Sequence, residues 1–314
     1  MKTNLSIGIP TYNQGQFLQE TIDSILNQTI LPDEIVISNN HSTDILTNQI
    51  LDKYKENKLF KIVVPDDHIK MCSNWNFTAK NCSSKFFTLI SSDDIFEKNF
   101  VEEFLSNHNP SCLFYRLNFN IIDEKGSIIG QQTLRSVPKI QSFPNNLLNQ
   151  FYGPKGGFPA FIVSKKLFED VGNYDEKFNY YADWHLLLKI AEKTKFYHIN
   201  TITSNYRVSY REGLNYSRLK SGGLDDIIFI LDYLLDKIET LGLKRYKYFL
   251  KNSICIHMSS YLKSLKAIDK KEIDKINIFI MKSNVKIENN NLKIQFRRLV
   301  MRIFEFTLRF IKIS

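Results

Sequence analysis

Cysteine is scarce and scattered. The four thiols, Cys72, Cys82, Cys112 and Cys255, form no CxxC pair, which excludes a zinc site built on thiolates. A chain of 314 residues can bury a large core without cross-links, so the cysteines are expected to be reduced, as in a cytosolic setting. Glycine and proline number only 12 and 8, which excludes collagen-like and Pro/Gly-rich disordered classes. No run of about 18 apolar residues occurs, so no membrane-crossing helix is expected. Met1-Lys2-Thr3-Asn4 passes directly into Leu5-Ser6-Ile7-Gly8-Ile9, too short and strand-like to read as an export signal. Nothing resembles a nucleic-acid-binding motif, so no nucleic-acid partner is expected.

What is present is apolar surface, with 24 Phe and 15 Tyr, and an uneven charge. The chain carries a net +9, yet residues 216–314 hold 20 Lys+Arg against 10 Asp+Glu, a surplus of 10, which leaves about −1 on residues 1–215. This asymmetry predicts an active module over 1–215 and a basic helical region over 216–314 that acts as a charged docking surface.

Short apolar runs bounded by polar residues predict strands at 4–9, 34–38, 60–64 and 85–90. Helical periodicity predicts helices at 16–28, 43–56 and 72–81 between them. That alternation is the signature of an α/β fold, a mostly parallel sheet covered by helices on both faces. Further strands are expected at 113–122, 127–133 and 201–208. A Gly/Pro-rich loop is expected at 151–160 and helices at 164–171 and 181–193, followed by helices at 224–241, 244–266, 270–283 and 292–312. Ligands of such sheets bind beyond the carboxyl ends of the strands. Each early strand ends in a polar cluster: Pro10-Thr11-Tyr12-Asn13, Asn39-Asn40-His41-Ser42, Pro65-Asp66-Asp67 and Ser91-Ser92-Asp93-Asp94. The four should share one rim.

Five stretches carry a family resemblance: IGIPTYNQGQFLQETIDSILNQT, EIVISNNHSTD, NWNFTAKNCSSKFFTLISSDD, VGNYDEKFNYYADWHLLLKIAEK and SNYRVS. In this order and at these separations, over about residues 4–210, the chain resembles the family 2 glycosyltransferases of GT-A fold. The resemblance implies a nucleotide-sugar donor, a UDP-sugar, lying over Pro10, Thr11, Tyr12, Asn39, Asn40 and Asn74. Tyr12 is suited to stack on the base, and the Asn40 amide offers it a donor and an acceptor. Many relatives carry Asp where Asn39 and Asn40 stand. Trp75 reads as core packing.

Two adjacent carboxylates beside a diphosphate repel unless a cation intervenes. A hard dication, Mg²⁺ or Mn²⁺, on Asp93 and Asp94 resolves this. Ser91 replaces an aspartate common in the family's DxD-type site. The resemblance makes Asp183 the base that deprotonates an acceptor hydroxyl, and Ala182 replaces an acidic residue often found beside it. Asp183 also reads as an N-terminal helix cap. Arg207 is expected to hold a phosphate or to order the loop over the donor, and Ser209 stands where relatives often have His. His41 and His185 are further candidates for base or ligand. Gly156-Gly157 is either a close approach to the donor or ordinary loop punctuation.

On the last helix Arg298, Arg302, Glu305, Arg309 and Lys312 form one face, and Phe296, Leu299, Ile303, Phe306 and Phe310 another. That pattern suits a helix lying in a membrane interface or packing on its own domain. Together with the basic helix, the resemblance implies an inverting, metal-assisted transferase that builds a bacterial surface glycan on a lipid-linked acceptor at the inner face of the cytoplasmic membrane. The alternatives are a nucleotidyltransferase of related fold, which needs no Asp183, and a non-catalytic membrane-associated scaffold.

Overall fold

The computed structural model describes residues 2–134, 137–208, 222–264, 270–287 and 290–308. Every residue of β1 (Leu5–Thr11) is buried, as a strand covered on both faces requires. β1 lies between β2 (Glu34–Asn39) and β4 (Phe86–Leu89), parallel to both, and β2 pairs in parallel with β3 (Phe60–Val63). The crossovers are α1 (Gly15–Leu26), α2 (Ile45–Tyr54) and α3 (Met71–Asn81). This is the alternation expected from the sequence.

Past β4 the sheet becomes mixed. β5 (Ile95–Phe96) and α4 (Phe100–Ser106) lead into the hairpin of β6 (Phe114–Ile122) and β7 (Ile128–Gln132). Next come β8 (Ile140–Gln141), α5 (Asn145–Leu148), β9 (Phe161–Ser164), α6 (Lys165–Asp170), α7 (Ala182–Lys193) and β10 (Phe196–Arg207). The strand order is β3-β2-β1-β4-β9-β6-β10-β5. β9 is inserted antiparallel between β4 and β6. The sequence reading has no strand there, because FIVS is four residues long and runs straight into the helix that its own Ser164 caps. β10 also starts earlier than the expected 201. Its pairing with β6 shifts register between His198 and Ser204, and such a bulge breaks the period-2 pattern by which strands are read.

Four long helices follow: α8 (Gly223–Thr240), α9 (Lys247–Ser264), α10 (Lys270–Ser283) and α11 (Asn291–Thr307). They do not form a detached unit. Trp184 and Leu187 of α7 belong to the same continuous core as Leu224, Ile227, Leu231, Ile254, Met301 and Phe304. A second core, with Ile7, Ile22, Ile37 and Phe100, fills the opposite side of the sheet. The basic C-terminal region is thus fused to the sheet through the helix that carries Asp183.

Candidate active site

The loops after β1 and β2 are cross-linked into one rim. Asn13 adopts a left-handed conformation, and its Oδ1 accepts the backbone N–H groups of Thr43 and Asp44 at 2.7 and 3.2 Å. Asp44 caps α2 and also accepts the Gly15 N–H. A Cβ on Gly15 would stand 2.6 Å from both the Asp44 carboxylate and the Thr47 nitrogen, so only glycine fits this junction. The rim extends to the loop after β3. The Asn40 amide donates to the Ile69 carbonyl at 2.7 Å and accepts the Ile69 N–H at 2.9 Å. Both polar ends of Asn40, expected to read a base, hold the neighbouring loop instead. Asn39 accepts the Ser42 N–H and donates to Asn48. Asn74 is buried and accepts the Ser38 hydroxyl at 2.6 Å. Thr11 is buried beside Pro10, and its hydroxyl has no partner among the described residues. Tyr12 is exposed, its ring tilted against His68 at 4.5 Å.

The two aspartates after β4 diverge. Asp93 is half-buried, and its Oδ1 accepts the Ser91 hydroxyl at 2.5 Å. Asp94 is fully buried; its Oδ1 accepts the Arg207 N–H at 2.8 Å, and its Oδ2 has no partner among the described residues. Burial, then the neighbouring Asp93 charge, pushes the Asp94 pKa well up, which favours a neutral acid. The Arg207 guanidinium donates from all three of its nitrogens. Nε donates to the Asp93 carbonyl at 2.7 Å, Nη1 to the carbonyls of Asp123 and Glu124, and Nη2 to the Glu20 carboxylate at 2.6 Å. These contacts clamp the 93–94 turn to the end of β10 and to α1.

These groups bear on the expected dication. Among the described residues no group of three or more His, Cys, Asp or Glu side chains is arranged as a closed metal site. Asp94 is turned into the protein, which leaves Asp93 to offer a carboxylate. One carboxylate suits a hard dication that completes its shell with water and substrate phosphates.

Beside this corner lies a cavity of about 490 Å³. Ser91 lines it from the end of β4, Gly156 and Gly157 from the long loop, and Asp183 from the start of α7. Among the described residues Asp183 is the only acidic side chain in its lining. Its Oδ1 accepts the Trp184 N–H at 2.7 Å, and a Cβ on Gly157 would stand 2.7 Å from its Oδ2. Gly157 is therefore a close approach to this carboxylate. Trp75 lines the cavity while packing on Phe158 at 4.6 Å. Tyr206 ties the two acidic corners together. Burial pushes its hydroxyl pKa up, and the neighbouring Asp183 and Asp93 carboxylates add to the shift.

Neither proposed histidine belongs to the cavity lining. His41 Nε2 lies 2.8 Å from the Pro65 carbonyl in a left-handed turn. His185 is buried and stacked on Phe178 at 4.8 Å. Sequence reasoning missed Tyr152 and His257 in the lining, and Asp226 behind it. Asp226 Oδ2 accepts the N–H groups of Asn179, Tyr180 and Tyr181, the segment leading into Asp183. Ser209 lies outside the described residues.

The model of the family described as Glycosyl transferase family 2 matches residues 6–170. A chondroitin synthase of Pasteurella multocida (strain Pm70) is 26% identical over 294 residues, 89% of this chain and 29% of that protein. A chondroitin synthase of Escherichia coli is 25% identical over 248 residues, 78% of this chain and 34% of that protein. The chain thus spans about a third of the length of these curated relatives. The crystal structure of S. aureus TarS 1–349 in complex with UDP-GlcNAc matches 98% of this chain and 90% of that one, with TM-score 0.64 and 15% identity. The fold is GT-A, extended by C-terminal helices.

Proposed function

The chain belongs to glycosyltransferase family 2, and we propose that it transfers a sugar from a UDP-sugar to a hydroxyl of a growing bacterial surface glycan, with inversion at the anomeric carbon. The observation that carries this reading is the position of Asp183, the one carboxylate that the described residues place in the lining of a cavity that also reaches Ser91 and, through it, Asp93. In this reading Asp183 takes the proton of the acceptor hydroxyl. The acceptor oxygen bonds to the anomeric carbon as the bond from that carbon to the diphosphate oxygen breaks. Asp93 would hold Mg²⁺ or Mn²⁺, an ion that would supply positive charge where negative charge develops on the leaving diphosphate. The exposed Tyr12 ring, beside Pro10 and Thr11, receives the base. Asn39, Asn40 and Asn74 shape that subsite through the loops and strand they brace, and Arg207 fixes the Asp93 turn.

The two chondroitin synthases among the relatives support a polysaccharide acceptor, and the UDP-GlcNAc complex of the structural neighbour supports a uridine nucleotide. We place the reaction at the cytoplasmic face of the membrane, on a lipid-linked glycan. Among the described residues no helix is long and apolar enough to cross a membrane. The test is a panel of nucleotide sugars with Mn²⁺. A UDP-sugar should raise the unfolding temperature and slowly release UDP. Release of pyrophosphate from a nucleoside triphosphate and a sugar 1-phosphate, or no response to any nucleotide sugar, would overturn the reading.

A further inference from the structure

The inner face of α11 is anchored. Ile294, Met301, Phe304 and Leu308 are buried, Phe304 stacks on Phe249 at 3.8 Å, and Glu305 pairs with Lys155 at 2.8 Å. Among the described residues nothing covers the opposite face. Leu292, Phe296, Leu299 and Ile303 are 75%, 62%, 51% and 54% exposed, and at 3.6 residues per turn they fall within an arc of about 60°. Arg298 and Arg302 lie exposed along one flank of this stripe, and among the described residues neither has an ion-pair partner. The one acid of α11, Glu305, is held inward by Lys155. Among the described residues of α11 the outward side thus offers apolar and cationic groups and no anion. Arg309, Phe310 and Lys312 lie outside the described residues.

We propose that this stripe seats the protein on an anionic lipid surface. An apolar ridge bordered by arginines is complementary to acyl chains bordered by anionic headgroups. A second copy docked on the same stripe would bring the arginine flanks of both chains into one interface without a counter-charge, which is unfavourable. The Lys155–Glu305 pair joins α11 to the loop that carries Gly156 and Gly157, so the docking helix is linked directly to the cavity wall. The proposal is independent of the sugar-transfer reading, because lipid binding needs no substrate.

The test is co-sedimentation of the full chain with phosphatidylcholine vesicles with and without phosphatidylglycerol. Binding should require phosphatidylglycerol and weaken with salt. Each of Arg298→Gln and Arg302→Gln should lower vesicle affinity about fivefold. Phe296→Ser with Ile303→Ser should abolish binding while leaving the unfolding temperature and the lipid-free hydrolysis of the donor unchanged. Binding that is absent, indifferent to phosphatidylglycerol, or unchanged in these variants overturns the proposal. So does a lipid-free dimer that the same substitutions dissociate, since a second copy would then cover the stripe.

Discussion

Oδ2 of Asp226 accepts the Tyr180 backbone N–H at 2.6 Å, together with those of Asn179 and Tyr181 at 3.0 Å each. One oxygen from α8 therefore fixes the three residues that precede α7 and sets where Asp183 projects. Burial pushes the Asp226 pKa up, and the three donors pull it back. Asp226→Ala leaves these N–H groups without their acceptor and should cost about 2 kcal/mol of stability. It should also lower kcat more than it raises KM, and Asp226→Asn, which retains an acceptor oxygen, should rescue kcat in part. Urea denaturation and steady-state kinetics on both variants check this.

The divergence of Asp93 and Asp94 separates two roles that the sequence presents as one motif. Asp93→Asn should abolish the extra unfolding-temperature shift that Mn²⁺ gives in the presence of UDP. Asp94→Asn keeps an acceptor for the Arg207 N–H and should retain that shift. Arg207→Ala removes four guanidinium contacts at a buried position and should destabilise by about 3 kcal/mol. Thermal scans of the three variants with UDP and Mn²⁺ distinguish these outcomes.

Gly157→Ala places a methyl group 2.7 Å from Asp183 Oδ2, well inside van der Waals contact, so the carboxylate must move. A displacement of this kind should lower kcat by about 100-fold while leaving the UDP-dependent thermal shift intact. Parallel measurements of turnover and UDP binding read the two effects separately.

His185 and His198 give the fold an acid limit. Burial holds the pKa of each near 4, below the ordinary 6.5; adjacent charge, from Lys189 at His185 and Arg116 at His198, adds to it. Asp175, 3.9 Å from His185, opposes the shift there. Because the folded values lie below the unfolded one, the unfolded chain takes up protons first. Stability is full above pH 6.5 and is lost as the pH falls toward 4, by about 1.4 kcal/mol per pH unit for each histidine. His185→Phe, which keeps the stacking on Phe178, should remove about one proton's worth of that slope. Urea midpoints between pH 7 and 4.5 measure it.

Much of the sheet could be read from the chain because β1, β2 and β4 are buried on both faces and appear as unbroken apolar runs. β9 could not, since its four residues gain strand identity from pairing with β4 and β6. The site divided in the same way. Asp183 and the Ser91–Asp94 corner were visible as polar groups at element ends. What consumes the Asn40 amide or the Arg207 guanidinium was not, because their partners, Ile69, Glu20, Asp123 and Glu124, come close only through the fold. Asp226 was hidden for the same reason: nothing about an acid on the first turn of α8 says that it braces α7.

The central claim is that Asp183 is the base, and single-turnover transfer by Asp183→Asn tests it most directly. The substitution preserves the acceptor for the Trp184 N–H, so fold and UDP-dependent thermal shift should persist. The rate of sugar transfer should fall by about 1,000-fold. Transfer at the unaltered rate, with donor binding intact, would contradict the account.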